Sequence, residues 1–372
     1  MDIAKTPPIQ YTPITYYSNF SSLLKSAGNL SPSSTAGLSI TGKVPTIYNY
    51  SIGIQRELGF KTVLDVAYVG ALGRHLLQER NLNTLPYGTH FLPANQDPTN
   101  PGKPLSDIFL EPYSGYSSIQ EDEYASNSSF HSMQVQINRR FARSLTLGST
   151  WTWSKSMDYI SNDYAAVAVV TPIKIWNYGK SDFDRTHIVQ VNWLWDIPKA
   201  TKLVKNPVVG ALFDNWQLSG VASFISGAPS GISLSTTNGL DIPGGGDGVR
   251  ALVLSKPILA KSNRTMLQYF NTSVFAIPAI GTYGNAPRDV VRGPGINNFD
   301  MSIFKNIPIY HERVKGQLRF EAYNTFNHTQ FSSMNTTAQF NPTTGAQVNA
   351  AFGNLTAART PRIGQIAFRV TF

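Results

Sequence analysis

The last eight residues, Gln365-Ile366-Ala367-Phe368-Arg369-Val370-Thr371-Phe372, constrain this chain more than any other stretch. Apolar and polar residues alternate: Ile366, Phe368, Val370 and Phe372 share one face, while Gln365, Arg369 and Thr371 share the other. An extended strand sends successive side chains to opposite faces, so this pattern needs one apolar and one polar environment. Chain termini usually fray in water. A strand ending on an aromatic residue instead fits a sheet closed within a membrane, where no edge can stay unpaired. We therefore expect Ala367, Phe368, Val370 and Phe372 to belong to the carboxy-terminal strand through which such a barrel assembles.

Composition agrees with that reading. Charged residues make up 14% of the 372 residues, against roughly 25% in an ordinary soluble domain. Aromatics reach 12%, and Gly (29) and Pro (23) are plentiful, which suits many strands joined by irregular loops. The absence of cysteine excludes a disulfide scaffold, a thiolate metal site and a cysteine nucleophile. The net charge of +9 comes without a Lys/Arg run of five or more, so it reads as scattered loop and lumen charge, not as a nucleic-acid patch. The longest apolar run, Tyr164 to Ile173, is short and broken by Thr171 and Pro172, so no membrane helix is expected. Met1-Asp2-Ile3-Ala4-Lys5 leads into Pro7-Pro8, which does not read as an export signal.

Residues 1–45 are rich in Ser, Thr, Pro and Gly and read as a loop or a weak strand around Ile14-Thr15-Tyr16-Tyr17. Strands begin at Ile47. Tyr48, Tyr50, Ile52 and Ile54 oppose Asn49, Ser51, Gly53 and Gln55, and a turn is expected at Leu58-Gly59. Residues 73–128 read as a long polar loop. A second hairpin carries Met133, Val135 and Ile137, then Leu145, Leu147, Trp151 and Trp153, with a turn near Arg143-Ser144. A third carries Val189, Val191, Trp193 and Trp195, passes Pro198 and Pro207, and returns with Trp216, Leu218, Ala222 and Phe224. After a Gly/Pro-rich excursion over 227–295, strands are expected at Phe299 to Asn306, Gln317 to Phe326 and Ile363 to Phe372.

Short turns thus alternate with loops of tens of residues. Soluble sandwiches space their turns more evenly, whereas outer-membrane barrels have short turns on one side and long loops on the other. We expect an all-β chain: an antiparallel transmembrane β-barrel, here a partial barrel of about 9–12 long strands with long external loops and no plug domain. A soluble sandwich or propeller is the alternative, but no blade-length repeat is visible. Trp151, Trp153, Trp193, Trp195 and Trp216 are candidates for an aromatic girdle. Gln134, Gln136, Asn138, Arg140, Arg319 and Glu321 are candidates for the polar lumen wall.

Several motifs resemble the carboxy-terminal barrel of TonB-dependent receptors, in particular the Oar-like group. They include Phe130-His131-Ser132-Met133-Gln134-Val135-Gln136, Trp151-Thr152-Trp153-Ser154-Lys155-Ser156, and Asp182-Phe183-Asp184-Arg185-Thr186-His187. Next come Asn215-Trp216-Gln217-Leu218-Ser219-Gly220, Tyr283-Gly284-Asn285-Ala286-Pro287-Arg288 and Arg292-Gly293-Pro294-Gly295. Asn298-Phe299-Asp300-Met301-Ser302, the Arg319 to His328 stretch and Phe352-Gly353 complete an ordered set over roughly residues 46–372. The resemblance implies an outer-membrane receptor that binds and admits a bulky nutrient. It also implies contact with outer-membrane lipid and lipopolysaccharide, and insertion by the barrel-assembly machinery. Such receptors carry a plug and a TonB box upstream of a barrel of about 22 strands. This chain matches the last part alone, so it is expected to be a fragment that meets TonB only through missing amino-terminal parts. Residues 46–372 would be the barrel portion. A surface barrel without transport, used for structure or adhesion, is the alternative, and a secreted soluble β protein is a third.

No catalytic residue, cofactor or metal site is expected. Asp182, Asp184, Arg185 and His187 form the densest ionisable cluster, read as a loop end in which Arg185 pairs a carboxylate. Gly244-Gly245-Gly246-Asp247-Gly248 lacks the Lys-Ser/Thr of a phosphate loop and reads as a mobile external loop. The six histidines show no metal-type spacing, and no Gly-x-Ser-x-Gly elbow exists. Arg288, Arg292 and Asp300 are candidates for lumen or loop ion pairs.

Overall fold

The computed structural model describes residues 9–10, 31–113, 116–140, 144–162, 165–310 and 314–372. Alternating apolar and polar residues fold back on themselves as hairpins, and the hairpins join edge to edge. Nine long strands form an antiparallel meander: β1 Thr46–Gly59, β2 Thr62–Asn81, β3 Tyr116–Arg140, β4 Leu145–Asp158, β5 His187–Asp196, β6 Trp216–Ile225, β7 Ile296–Tyr310, β8 Val314–Tyr323 and β9 Ile363–Thr371. Each pairs with its sequence neighbours, as local connections favour. With Ile9–Gln10, Ser31–Leu38 and Gly179–Lys180 the sheet has 12 strands. Among the described residues the sheet is not closed, because β1 pairs only with β2 and β9 only with β8. The expected loop region around Ile14-Tyr17 lies outside the described residues.

The four longest connections leave from one end of the sheet. They cover 82–115, 159–186, 226–295 and 324–362, while 60–61, 141–144, 197–215 and 311–313 join strands at the other end. The first hairpin turn sits two residues later than expected. Gly59 pairs Thr62, so Phe60 (φ 49°) and Lys61 (φ 58°) are the two central residues and point away from the ladder. Positive φ at both positions is what a two-residue turn needs to match strand twist. Asn324 (φ 50°) ends β8 at Tyr323, earlier than the expected Phe326, and its amide oxygen accepts from the His328 N–H at 3.0 Å.

The polar stretch 73–128 is not all loop. β2 runs for 20 residues and β3 for 25, so both continue well past the roughly 10 residues that cross a bilayer. Their upper arms hold together by polar contacts: Arg80 pairs Glu123 at 2.5 Å, and Gln120 donates to Glu79 at 2.7 Å. Above the end of β4, Ser31–Leu38 takes the other edge of β3 in parallel, from Ser33↔Tyr116 to Leu38↔Asp122.

The sheet has no hydrophobic core of its own. Of the 15 buried hydrophobic residues among those described, Ala222 alone lies on a long strand; the rest lie in the long connections. Ile232, Ala251, Phe270, Val274, Phe275, Val291, Ala338, Phe340 and Phe352 form one cluster that ties the 226–295 connection to 324–362. A parallel pair, Ser233–Thr236 with Thr337–Phe340, links the two backbones. The strands instead leave large apolar residues outside, such as Ile52 and Ile54 (both 73% exposed) and Ile366 (70%). That distribution inverts a soluble protein and is what lipid contact requires.

Candidate functional site

Register decides which side chains share a face, because directly opposed residues point the same way. Gln136 lies opposite Asp65 and Thr150, and the same row continues through Gln190 and Ser223 to Asn298. Gln55 begins that row on β1. Gln134 opposes Ala67 and Thr152, and Asn138 opposes Val63 and Gly148. Arg140 opposes Thr146, two and four positions from Asn138 and Gln136 on the same strand. On the far strands Glu321 opposes Ser302 and Gln365, and Arg319 opposes Phe304 and Ala367. All six expected lumen residues therefore occupy polar-face register positions.

This wall is amide- and hydroxyl-rich with few charges. Gly148 is small for a reason: a Cβ there would come within 2.5 Å of Asn192 Oδ1 and 3.2 Å of Asn138 Oδ1. Arg319 donates from Nε to Gln317 Oε1 at 2.6 Å and stacks 5.1 Å from the Phe304 ring centroid. Near the short-turn end, Lys315, Arg319, Arg369 and Lys199 line a cleft of about 790 Å³.

The other face is apolar. Trp151 opposes Val135 and Val189; Trp153 opposes Met133 and His187. Trp193 opposes Leu147 and Gly220, Trp195 opposes Leu145 and Leu218, and Trp216 opposes Lys305. All five tryptophans share this face, at two levels. Trp153 is eight positions along β4 from Leu145, the partner of Trp195. At about 3.3 Å per residue and a tilt of about 40°, that separates the levels by about 20 Å along the membrane normal. Gly220 lies under Trp193, where a Cβ would be 2.3 Å from the indole. In the carboxy-terminal strand, Phe368 opposes Leu318 and Val370 opposes Gly316 on the apolar face, while Ala367 falls on the polar one; Phe372 follows the strand and is 99% exposed.

At the long-loop end the connections interlock into a rim. Buried Asp184 accepts from Arg292 at 2.6 Å and from the Ser156 N–H at 2.8 Å. Its partner is thus Arg292 and not the expected Arg185, whose guanidinium donates to the Asp182 and Asp184 carbonyls. Arg288 pairs Asp158 at 2.9 Å and donates to the Tyr159 and Asn177 carbonyls. Lys180 pairs Asp289 at 3.1 Å. Among the described residues Asp300 has no ion-pair partner; it accepts from the Asn324 N–H and the Asn298 amide.

The Gly244–Gly248 segment, read from the sequence as a mobile external loop, lies in the rim and is packed. Its glycines sit against Phe91, Pro86 and Tyr87, and Asp247 accepts from the Val169, Val170 and Thr171 N–H groups. Arg250 lies 3.9 Å over the Trp176 ring, and Tyr283 contacts both Trp176 and Tyr87. His90 bridges two connections, with Nε2 2.9 Å from Asp107 and Nδ1 2.5 Å from Asp241. Burial opposes its charge, but the Asp241 and Asp107 carboxylates outweigh that and raise its pKa above the ordinary histidine value. Sequence reading gave neither His90 nor Asp247 this role, since Asp241 lies 151 residues from His90 and the 169–171 amides lie 76 to 78 residues from Asp247.

Between rim and sheet lies a cleft of about 480 Å³, reached by Ile47, Phe130, Ser154, Phe183, Arg185 and Ile188. A neighbouring one of about 450 Å³ is lined by Arg74, Asn127, Lys174, Tyr159 and Tyr178. The two tyrosines meet edge to face at 5.7 Å. These groups can stack on and hydrogen-bond a polar ligand. Among the described residues no group of three or more His, Asp or Glu side chains could hold a metal ion, and no helix is long and apolar enough to cross a membrane.

An antiparallel meander with an apolar outer face, a polar inner face and its longest loops at one end defines an outer-membrane β-barrel sheet. The model of the outer membrane beta barrel domain matches residues 3–365, and the chain belongs to that family. It resides in the outer membrane. No curated protein matches the sequence. Among solved structures, the outer membrane transporter YddB from Escherichia coli is similar at 8% identity and a TM-score of 0.42, covering 88% of this chain and 33% of its own. The FrpB iron transporter from Neisseria meningitidis (F3-3 variant) gives 12% identity and a TM-score of 0.39, covering 90% of this chain and 33% of its own. The ferric-catecholate import receptor Fiu from E. coli K12 gives 9% and 0.38, covering 90% and 30%. The chain spans about a third of the length of these structures.

Proposed function

We propose that this chain is the carboxy-terminal sector of a TonB-dependent receptor barrel of the Oar-like type, which binds a bulky polar nutrient and admits it across the outer membrane. The observation that carries this reading is the polar row from Gln55 through Gln136 and Gln190 to Asn298, crossing seven strands without closing. A wall that wide, lined by hydrated groups, bounds a lumen too large to fill with its own side chains. Gln134, Gln136, Asn138, Arg140, Arg319 and Glu321 line it. Trp151 and Trp153 form the outer girdle; Trp193, Trp195 and Trp216 form the inner one. The rim clefts make first contact with ligand, and no covalent chemistry is involved. Gating and energy come from a plug and TonB contact supplied by the rest of the receptor, and β9 carries the signal for barrel assembly.

The test is whole-cell uptake. Cells with the gene intact or deleted are given labelled oligosaccharides, peptides and ferric chelates, with and without a protonophore. Gene-dependent accumulation of one class, abolished by the protonophore, is expected. Gene-dependent surface binding with no energised accumulation would replace transport by an adhesive or structural role.

A further inference from the structure

The 197–215 connection breaks the pattern of short turns at its end of the sheet. It holds a 3-10 turn, Ala200–Lys202, and a helix, Pro207–Phe213. The helix starts at a sequence signal: Asn206 accepts from the Val208 N–H at 2.8 Å, and Pro207 fills the first position, where no N–H is needed. Asp214 closes the segment by accepting from the Thr201 hydroxyl at 2.6 Å and its N–H at 3.1 Å. Gly210 packs on the Thr201 methyl, 2.9 Å from where a Cβ would stand.

That packing turns Gly210 inward and leaves an apolar stripe outside. Leu203 is 91% exposed, Val204 55%, Val208 64%, Leu212 58% and Phe213 59%. Val204, Val208 and Leu212 follow one another at four-residue spacing, and Lys202 and Lys205 flank them, both exposed. The helix hangs on the apolar side of the sheet. Trp216 donates from its indole to the Leu212 carbonyl at 2.8 Å. Lys305, on the same face, is only 8% exposed; its ammonium reaches the Asp214 carbonyl and lies 5.4 Å from the Trp216 ring centroid.

We propose that residues 202–213 form an interfacial anchor seated in the anionic phospholipid leaflet on the short-turn side of the outer membrane. Val204, Val208, Leu212 and Phe213 enter the acyl region, and Lys202 and Lys205 meet headgroup phosphates. Two observations select lipid as the occupant. The stripe is continuous, through Trp216, with the lipid-facing side of the sheet at its inner tryptophan level. The lysines complement an anionic surface, and an apolar stripe beside lysines is the pattern of a helix lying in a membrane interface. The inference needs only outer-membrane residence and is independent of any transport role.

This chain has no cysteine, so a label placed in it is unique within it. Val208→Cys and Leu212→Cys, each carrying an environment-sensitive fluorophore, are made in the full-length protein and placed in vesicles of phosphatidylcholine with or without phosphatidylglycerol. Acyl-brominated lipid should quench both, aqueous iodide neither, and Asn238→Cys in the opposite rim should behave in reverse. K202E/K205E should abolish the gain that phosphatidylglycerol gives, with heat-modifiable gel mobility unchanged. Iodide quenching at both sites, or shielding from both quenchers by protein, would overturn the anchor. If the cysteine variants fail to fold, hydrogen exchange of the unaltered protein decides. Protection of 208–213 should rise about tenfold with phosphatidylglycerol, the scale of a surface attraction; no change would overturn the proposal.

Discussion

Val191 offers a direct test of which face meets lipid. It lies on the apolar face opposite Ser149 and Ala222, and Ser149 is four positions from both Trp153 and the Leu145–Trp195 level. Four residues span about 13 Å along a strand, or about 10 Å along the normal at a tilt of about 40°. Val191 therefore sits near the bilayer midplane, about 10 Å from each girdle and inside an apolar band about 25 Å tall. Val191→Arg must hold a guanidinium there, at a cost of about 2–4 kcal/mol. Its neighbour Gln190 points the other way, opposite Thr150 and Ser223. Gln190→Arg places the same charge in a hydrated lumen and should cost about 0–1 kcal/mol. The difference of about 1–4 kcal/mol is about 5- to 900-fold in the folded-to-unfolded ratio. Guanidinium unfolding of the full-length barrel in phospholipid vesicles, followed by tryptophan fluorescence and gel mobility, measures it. Equal destabilisation by the two variants, or greater damage from Gln190→Arg, would refute the assignment of faces.

Other outcomes follow from the rim and the girdles. Arg292→Ala strands the buried Asp184 carboxylate and should cost about 2–4 kcal/mol locally, since one partner of a buried pair is lost. Faster hydrogen exchange over 181–187, 288–293 and the Ser156 amide that Asp184 accepts, with β2 and β3 unchanged, would show it. His90 gains its raised pKa in the folded rim, so its stabilisation is full below the ordinary histidine value near 6.5 and is lost as pH rises through the folded value. Proteolysis of the 82–113 segment should therefore accelerate at alkaline pH, and His90→Ala should flatten that dependence. Gly220→Val must displace the Trp193 indole, costing about 1–3 kcal/mol by overpacking and red-shifting tryptophan emission in vesicles.

Where lipid imposes a rule, the chain is readable from sequence. Residues 48–55, 133–138, 145–153, 189–193 and 366–372 largely alternate because their strands face hydrocarbon on one side and water on the other. Above the membrane the rule lapses, so the arms at 73–81 and 116–128, with Gln78, Glu79, Glu121 and Glu123, look like loop while they pair as strand. The Phe60-Lys61 turn lacks the Asn or Gly that would mark it. The Pro207–Phe213 helix did carry an Asn-Pro start, but the prolines read as mere connection. Arg292 and Asp184 stand 108 residues apart, and nothing local chooses Arg292 over Arg185. The polar-face positions were legible because they follow from alternation alone; the rim was not, because it is built from contacts distant in sequence.

The cluster around Phe270, Phe275 and Phe352 gives this molecule two solvents. Its sheet is held by oil and its crown by water, so each half answers to a different denaturant. Detergent exchange that loosens the strands should leave the crown folded, and cooling, which weakens water-driven burial, should soften the crown first.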